Sequence, residues 1–378
     1  MSFNRRSFGP NSQVSLFTLG TMRAIESSQQ MYKVLESAIA AGINHIETAP
    51  AYGPAEDFLG DSIQRLKLKN KLPEGGLIVT SKIQPGISFD EGKSEIKNIL
   101  SRLRISKIDN LAVHGINLNE HLEWALNGEG ADLLTWAQQE NLIDQIGFSS
   151  HGSIPLIQKA INSNRFVFCS LHLHLLDPQR IPLAKLAIKQ GMGVMAISPA
   201  DKGGQLQNPS QMLIEDCKPI PPIELAYRYL IAQGISTLTV GASKTEDLRL
   251  PQKLSSADGP LSQEEQRSIE RLNSIRRTRL GNDFCGQCKA CLPCPKQIPI
   301  PEILRLRNLT VGHDLQAFAK ERYNLINKAG HWWETVDASA CNNCGDCLPR
   351  CPYHLEIPDL LKDIHLKLID KPRRRLWD

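Results

Sequence analysis

The sequence predicts an α/β protein: a closed (β/α)₈ TIM barrel over residues 1–280, followed by a smaller, mainly helical region over residues 281–378. Short apolar runs typical of strands alternate with amphipathic helical stretches throughout the first region, which favours a parallel barrel. No G-x-G-x-x-G follows the first apolar run, and this disfavours the alternative, an open doubly wound sheet. After residue 279 the composition changes to a Cys- and Gly-rich stretch, which indicates a second domain.

Each element is predicted from its pattern of apolar residues and from its flanking turn residues. The predicted barrel strands are 14–19, 43–47, 77–81, 110–113, 145–148, 166–171, 193–197 and 237–240. The predicted helices are 28–41, 57–67, 90–103, 132–140, 154–162, 183–189 and 223–233, with 263–275 closing the barrel region. In the second region we expect helices over 301–328 and 358–367.

Composition limits the classes of protein that this chain can belong to. A hydrophobic fraction of 41% and a charged fraction of 22% exclude collagen-like and wholly disordered chains. A net charge of +4 is too small to indicate a nucleic-acid partner. No apolar run reaches the roughly 18–20 residues of a membrane span, and the first residues carry no secretory pattern. We therefore expect a cytoplasmic protein.

Eight of the 10 cysteines lie in two short runs, each ending in Cys-Pro. The first run is Cys285-x₂-Cys288-x₂-Cys291-x₂-Cys294, and the second is Cys341-x₂-Cys344-x₂-Cys347-x₃-Cys351. Cysteines at a spacing of three can converge on one cubane cluster, and the fourth thiolate must come from elsewhere. The second run has the spacing of bacterial ferredoxins, whereas the first is one residue shorter before its last cysteine.

In two-cluster ferredoxins the fourth cysteine of each run ligates the other cluster. Crosswise pairing predicts that cluster one is held by Cys285, Cys288, Cys291 and Cys351, and cluster two by Cys341, Cys344, Cys347 and Cys294. Structural zinc is the alternative, but zinc needs only four ligands. We therefore expect a mainly helical, ferredoxin-like module with two 4Fe–4S clusters. Cys169 and Cys217 lie outside the runs and are expected to be buried hydrophobes.

Polar side chains end three successive predicted strands, and a barrel brings strand ends to one mouth. Glu47 and Tyr52 follow the second strand, Lys82 ends the third and His114 ends the fourth. These groups suit carbonyl reduction. A phenol can give a proton to the oxygen as hydride reaches the carbon, and a nearby Lys lowers the phenol pKa. The carboxylate pairs with the Lys, and the His orients the carbonyl oxygen.

At these positions the sequence resembles the aldo/keto reductase family. Residues 47–60, ETAPAYGPAEDFLG, resemble its signature D-T-A-x-x-Y-G-x-[SA]-E-x-x-L-G, and SK at 81–82, LAVHG at 111–115, GFSSH at 147–151 and GAS at 241–243 follow in the family's order. The resemblance implies a (β/α)₈ barrel, a nicotinamide cofactor, usually NADPH, and Tyr52 as proton donor with Lys82 and His114 as partners. The cysteine-rich tail resembles the extension of a ferredoxin-bearing branch. The family's Asp is Glu47 here.

The resemblance also implies a set of cofactor contacts, several of them altered. Ser149 and Ser150 stand where a Ser-Asn pair usually binds the nicotinamide amide, Ser170 replaces a Gln, and Ser198 lies where a stacking aromatic is usual. The turn Gly20-Thr21-Met22 matches a family turn at the cofactor. Gly241, Ser243 and Lys244 lie where backbone N–H groups bind phosphate, unless Ser243 or Thr245 simply caps a helix. His172 and His174 are expected to pack, with a metal pair as the alternative.

The sequence thus predicts an NADP(H)-dependent oxidoreductase, with NAD(H) as the alternative cofactor, that couples carbonyl or alcohol hydride transfer to one-electron transfer through two 4Fe–4S clusters. A second reading is an electron-transfer or redox-sensing iron–sulfur protein with a weakened barrel. A third is a zinc-stabilised barrel protein. The basic stretches 276–279 and 371–376 favour an acidic electron carrier such as ferredoxin as partner.

Overall fold

The chain forms two compact units, and the computed structural model describes residues 3–200, 204–326 and 336–370. The first unit consists of Met1–Gly203 and Ala226–Leu261, and the second of Gly204–Leu225 and Ser262–Asp378. The predicted first domain, 1–280, includes residues 262–280. In the structure these residues belong to the second unit instead. The division into functional domains at residue 280 remains a prediction.

The first unit contains the predicted barrel. Its parallel strands close into a barrel in chain order, and the last strand, Thr237–Gly241, pairs with the first, Phe17–Gly20. They are β3 (Phe17–Gly20), β4 (His45–Glu47), β5 (Ile78–Ile83), β6 (Ile108–Val113), β7 (Ile143–Ser150), β8 (Phe168–His172), β9 (Gly193–Ile197) and β10 (Thr237–Gly241). The closed barrel is thus confirmed. The single predicted strand 14–19 is wrong, because its first residues belong to an antiparallel hairpin of β1 (Arg5–Ser7) and β2 (Gln13–Ser15).

Helices connect the strands, as predicted, and several begin at a serine that caps the first turn. The side chains of Ser27, Ser88 and Ser153 each accept a hydrogen bond from the backbone N–H group three residues further on. The helices up to residue 254 are α1 (Ser28–Ala40), α2 (Ala55–Leu68), α3 (Phe89–Leu103), α4 (Asn119–Leu126), α5 (Glu129–Gln139), α6 (Ile154–Ile161), α7 (Ile181–Lys189), α8 (Gln211–Cys217), α9 (Pro222–Ala232) and α10 (Arg249–Leu254). The short helices α4, α8 and α10 were not predicted.

A buried polar network lies inside the barrel. His45 Nδ1 is 2.8 Å from Thr18 Oγ1, and His45 Nε2 is 2.7 Å from Thr80 Oγ1. Thr18 Oγ1 is also 2.7 Å from Thr237 Oγ1. Burial lowers the pKa of His45 to about 3, because the surroundings disfavour the charged imidazolium. The barrel therefore holds this histidine neutral.

The second unit is mainly helical. Its further helices are α11 (Gln263–Leu280), α12 (Ile300–His313), α13 (Gln316–Tyr323) and α14 (Ile357–Leu368). The predicted helix 301–328 is divided by Asp314, whose φ of 52° is incompatible with a continuing helix. Within the described parts of the chain, no helix has both the length and the apolar character needed to cross a membrane.

Candidate functional site

The four side chains predicted at the barrel mouth come from three neighbouring strands. Glu47 is the last residue of β4, Lys82 lies near the end of β5, and His114 follows β6 directly. Tyr52 ends a 3₁₀ turn, Pro50–Tyr52, that follows β4. Lys82 Nζ donates to Tyr52 Oη at 2.7 Å and to the carbonyl oxygen of Thr48 at 3.1 Å, and it forms an ion pair with Glu47.

The longer carboxylate of Glu47 reaches the phenol as well as the lysine. Tyr52 Oη donates to Glu47 Oε1 at 3.2 Å, so the phenol proton points toward a carboxylate in this structure. Burial raises the pKa of Tyr52 to about 12 and lowers that of Lys82. Desolvation of the phenolate sets the direction of this shift, and the expected lowering of the phenol pKa by Lys82 is not seen.

His114 stands edge-on to the phenol and is held by an amide. Its ring and that of Tyr52 are 6.2 Å apart at 88°. Gln84 Nε2 lies 3.2 Å from His114 Nδ1, and since an amide nitrogen only donates, Nδ1 accepts. This assigns the ring proton to Nε2. Gln84 was not predicted; its place directly after β5, next to the end of β6, was the available signal.

Glu56 and Gly60, in the second half of the signature 47–60, stabilise the site through contacts that do not include the Tyr52 phenol. Ser81 Oγ, next to Lys82, donates to Glu56 Oε1 at 2.7 Å, and Arg102 Nε donates to Glu56 Oε2 at 2.7 Å. A Cβ at Gly60 would collide with the Arg102 carbonyl, so this glycine allows α2 and α3 to approach closely. These residues link α2 and α3 to the strand that carries Lys82.

The predicted nicotinamide contacts lie on β7 and β8. Ser149 and Ser170 are register partners, and both are buried. Ser149 Oγ accepts from Gly115 N at 3.0 Å, whereas Ser150 Oγ donates to Ile116 O at 2.5 Å. Ser170 Oγ is buried and has no hydrogen-bond partner among the described residues. Ser170 therefore has an unused hydroxyl, while Ser150 is engaged by backbone.

Four further predicted cofactor residues lie at the end of β3 or directly after β3 and β9: Gly20, Thr21, Met22 and Ser198. Thr21 is buried and its Oγ1 donates to Thr48 Oγ1 at 3.0 Å, whereas Met22 is 55% exposed. Gly20 ends β3, and a Cβ there would meet Thr239 at 2.8 Å. Ser198 follows β9 in the left-handed region, with φ of 52°.

In the predicted phosphate-binding loop, the carboxylate of Asp247 already accepts hydrogen bonds from the backbone N–H groups. Asp247 Oδ2 accepts from Ser243 N at 2.9 Å and from Lys244 N at 3.2 Å. Gly241 ends β10, and a Cβ there would contact the Arg23 side chain at 3.0 Å. A phosphate using these N–H groups would have to replace the Asp247 carboxylate.

Three histidines lie close together. His151 directly follows β7, His172 ends β8, and His174 lies two residues beyond β8. The rings of His172 and His174 are 6.4 Å apart and stacked, and His151 is 6.4 Å from His172. His174 is fully buried and its Nδ1 accepts from Leu176 N at 3.1 Å. Among residues 3–200, 204–326 and 336–370, no group of three His, Cys, Asp or Glu side chains is placed to hold a single metal ion.

The thiols of the two cysteine runs are free, and four of the eight lie in the core of the second unit. Cys285, Cys291, Cys347 and Cys351 are each 7–8% exposed and pack among leucines and isoleucines. Burial raises the pKa of Cys285 to about 11, and the neighbouring Cys288 and Cys351 add to this effect. Burial also raises the pKa of Cys347, whose other thiol neighbours are Cys341, Cys344 and Cys294.

These neighbourhoods follow the crosswise sets in part, because Cys291 neighbours Cys347 of the other set as well as Cys285 and Cys288. Cys285 interacts with the last cysteine of the second run, and Cys347 with the last cysteine of the first. One cavity of the second unit is lined by four thiols, those of Cys294, Cys341, Cys344 and Cys347. The folding therefore brings together the thiols that the ferredoxin spacing assigns to cluster two.

The two runs also have the same backbone conformation, a repeat that sequence reasoning missed. Gln287 and Asn343, each two residues after the first cysteine, have φ of 60° and 58°. Lys289 and Gly345 follow with φ of 65° and 80°. After each Cys-Pro the chain makes equivalent turns, Gln297 N to Cys294 O at 2.8 Å and His354 N to Cys351 O at 3.1 Å. The available signal was the shared Cys-x-[Gln/Asn]-Cys pattern.

The predicted basic rim is partly used for structure. Arg279 forms an ion pair with the buried Asp216, and the Arg276 guanidinium lies 5.2 Å from the Phe284 ring. Arg277 on α11 is exposed. The predicted stretch 371–376 lies outside the described residues.

Comparison with known proteins agrees with the barrel and its signature. The sequence profile of the Aldo/keto reductase family matches residues 17–274. A curated relative, the "Uncharacterized oxidoreductase YqkF" of Bacillus subtilis (strain 168), is 24% identical in an alignment of 276 positions that covers 62% of this chain and 85% of that protein.

Solved structures of similar fold are members of the same family. Aldo-keto reductase AKR11C1 from Bacillus halodurans, in its holo form, has a TM-score of 0.59 at 21% identity and covers 71% of this chain and 96% of its own. The Bombyx mori aldo-keto reductase AKR2E4, in complex with NADP, has a TM-score of 0.57 at 21% identity, covering 72% and 93%. Because the family profile spans the whole barrel, the chain belongs to the aldo/keto reductase family and is an oxidoreductase.

Proposed function

We propose that this protein transfers hydride between NADP(H) and a small carbonyl or alcohol, and that it exchanges single electrons through two 4Fe–4S clusters. The observation that carries the first part is the buried contact of Tyr52 with Lys82, with His114 edge-on to the phenol. The second part is supported by the four thiols that line one cavity, those of Cys294, Cys341, Cys344 and Cys347, and by the approach of Cys351 to Cys285.

In the proposed reduction the nicotinamide, when bound, supplies the hydride to the carbonyl carbon. Tyr52 Oη gives its proton to the carbonyl oxygen, and Lys82 stabilises the phenolate left behind. His114 donates from Nε2 to the same oxygen and so orients the substrate. With a pKa of about 12 the phenol is protonated at neutral pH and is ready to act as the acid.

The residues at the barrel mouth fit a nicotinamide in part. The buried, unpartnered hydroxyl of Ser170 offers one hydrogen bond to a carboxamide, judged over the described residues, and Ser149 lies beside it as its register partner. At the other end Asp247 competes with the phosphate for Ser243 N and Lys244 N. We infer that the cofactor is held mainly at its nicotinamide end.

The cysteine sets fit iron–sulfur clusters because thiolates are the ligands that such clusters require. Cys285, Cys288, Cys291 and Cys351 would hold one cluster, and Cys341, Cys344, Cys347 and Cys294 the other. Bound clusters supply one-electron transfer. A hydride carries two electrons, so two one-electron centres in the same chain can accept both.

The partner and the compartment follow from the same features. We infer that an acidic carrier such as ferredoxin docks near the clusters, where half-buried Lys289 within the first cysteine run and exposed Lys296 just after it offer positive charge. The described cysteines are all free thiols, which favours a reducing compartment, and we place the protein in the cytosol.

Two measurements on protein purified without oxygen test the proposal. Iron analysis should give about eight irons per chain with equal sulfide, since two 4Fe–4S clusters hold that number. Steady-state assays with a panel of aldehydes should show NADPH oxidation matched by alcohol formation. Zinc in place of iron contradicts the cluster half, and absence of NADPH oxidation with every aldehyde contradicts the hydride half.

A second function, electron transfer with a weakened barrel, is favoured by one observation. The Tyr52 proton is directed at Glu47 Oε1, which competes with a substrate oxygen for it. Glu47→Asp withdraws the carboxylate by one methylene while keeping the charge beside Lys82. If the weakened barrel is correct, the wild type is inactive with carbonyls and this variant gains NADPH-dependent turnover.

A further inference from the structure

The two cysteine runs share a backbone but differ in one amide side chain. Gln287 and Asn343 occupy equivalent positions with nearly equal φ, 60° and 58°. Gln287 is only 7% exposed, whereas Asn343 is exposed. The repeat therefore provides an internal control for what a buried amide does beside a ligand cysteine.

Both hydrogens of the Gln287 amide nitrogen have partners. Nε2 lies 3.3 Å from Cys285 Sγ and 2.8 Å from the carbonyl oxygen of Pro301 on α12. The backbone N–H of Gln287 also bonds the Cys285 sulfur. The flipped amide would set its oxygen against the sulfur and the carbonyl, so these two partners fix the nitrogen on Cys285.

The Gln287 amide keeps this orientation although its oxygen is left without a hydrogen-bond donor. Gln287 Oε1 is buried with no hydrogen-bond partner among the described residues. A buried, unpaired carbonyl oxygen destabilises a fold. In this orientation the nitrogen makes one structural hydrogen bond, to Pro301 O, and its second hydrogen is left to donate to Cys285 Sγ.

Cys285 is also fixed in place by its backbone. Asn308 on α12 accepts from Cys285 N at 3.3 Å and donates to Cys285 O at 2.8 Å. The sulfur and the amide nitrogen are thus both anchored to α12, one through Asn308 and the other through Pro301. The contact between Gln287 Nε2 and Cys285 Sγ is therefore fixed by these bonds to α12.

At the equivalent position in the second run the contact is reversed. There Cys341 Sγ lies 3.7 Å from Asn343 Oδ1, an oxygen that can accept from a thiol but not donate to a thiolate. Asn343 is also one methylene shorter and is open to water. The second run thus lacks a buried side-chain donor at this sulfur.

We propose that Gln287 raises the reduction potential of the cluster that Cys285 ligates. This inference rests on the proposed iron–sulfur function. Reduction of that centre adds one electron, whose charge is shared with the ligand sulfurs, and a fixed N–H dipole on sulfur stabilises the added charge. No proton is transferred; in the test the electron comes from dithionite. Gln287 is a positioning residue that acts through Cys285.

The test is an anaerobic dithionite titration followed by electron paramagnetic resonance. Gln287→Met keeps an unbranched side chain of similar length and removes the donor. We expect one of the two centres to become harder to reduce by about tenfold in its equilibrium constant, which is 59 mV for one electron. The other centre should keep its midpoint. Asn343→Met, the same side chain at the equivalent position, should move neither midpoint comparably.

The outcomes separate this inference from the function on which it rests. Wild-type protein without iron overturns the proposed clusters. Wild type and Gln287→Met that both hold eight irons and have equal midpoints overturn the role of Gln287 alone. If the variant fails to assemble, wild-type protein carrying ¹⁵N only in glutamine side chains decides: hyperfine coupling of that nitrogen to a reduced cluster supports the contact, and its absence contradicts it.

Discussion

The barrel and the second unit complete their cores in different ways. The barrel interior is filled by apolar side chains and by the neutral network of His45 with Thr18, Thr80 and Thr237. The core of the second unit includes Cys285, Cys291, Cys347 and Cys351 among its leucines and isoleucines. The barrel core is therefore complete as a polypeptide, whereas the core of the second unit holds free thiols at positions where inert side chains are usual.

Removing one thiol from a crosswise set should affect the second unit and leave the barrel unchanged. Cys351→Ser should lose the cluster that it shares with the first run, leaving about four of eight irons, and should destabilise the second unit while the barrel stays folded. Iron analysis and hydrogen exchange measure both effects. Cys217→Ser, a buried thiol outside the runs, is the matched control and should keep eight irons. Equal iron in the two variants would refute the assigned ligand set.

The barrel's own chemistry should depend on one phenol. Tyr52→Phe keeps the ring against His114 and removes the proton, so we expect kcat for carbonyl reduction to fall about 10²–10⁴-fold. NADPH affinity, measured by fluorescence titration, should stay unchanged, as should the iron content. Unaltered turnover in this variant would show that the proton comes from another group.

The neutral network predicts how the barrel responds to acid. The folded-state pKa of His45 is about 3 and lies below the ordinary value of 6.5, so the unfolded chain binds the proton more readily. The contribution of His45 is complete above about pH 6.5 and is lost as the pH falls toward 3, by several kcal/mol in total. Hydrogen exchange of β4 and β5 amides should show this loss in wild type and a flatter profile in His45→Gln.

The smallest expected effect concerns the phosphate loop. Asp247→Asn keeps an acceptor for Ser243 N and Lys244 N but removes the charge, so the Kd for NADPH should fall by about fivefold, or roughly 1 kcal/mol. The affinity for NADH, which lacks the 2′-phosphate, should rise less than the affinity for NADPH. Glu246→Gln removes an adjacent exposed charge without touching the N–H groups and serves as control. Equal gains for both variants would mean that charge alone, and not the capped N–H groups, sets the affinity.

Much of the barrel was predictable because its strands are short apolar runs with clear ends. Strand β9, Gly193–Ile197, has the predicted bounds, since glycine and serine flank it. The hairpin strand β2 was missed because Leu16 joins it to β3 in one apolar run. The meeting of Glu47, Tyr52, Lys82 and His114 follows from strand ends alone.

The rest of the site depends on contacts that no local pattern encodes. Ser150 was expected at the cofactor, but its hydroxyl binds the loop after β6, which lies more than thirty residues away in the chain. Asp247 closes the phosphate loop, and Gln287 reaches its sulfur through a left-handed backbone. Each of these depends on where a second segment passes, which tertiary packing decides.

Anaerobic stopped-flow mixing with NADPH measures whether the proposed hydride site and the two proposed one-electron centres share reducing equivalents. Oxidation of one NADPH releases two electrons and one proton, and each cluster takes one electron. We predict bleaching of the iron–sulfur absorbance in step with the loss of NADPH. NADPH that binds and stays reduced beside fully oxidised clusters would contradict the account.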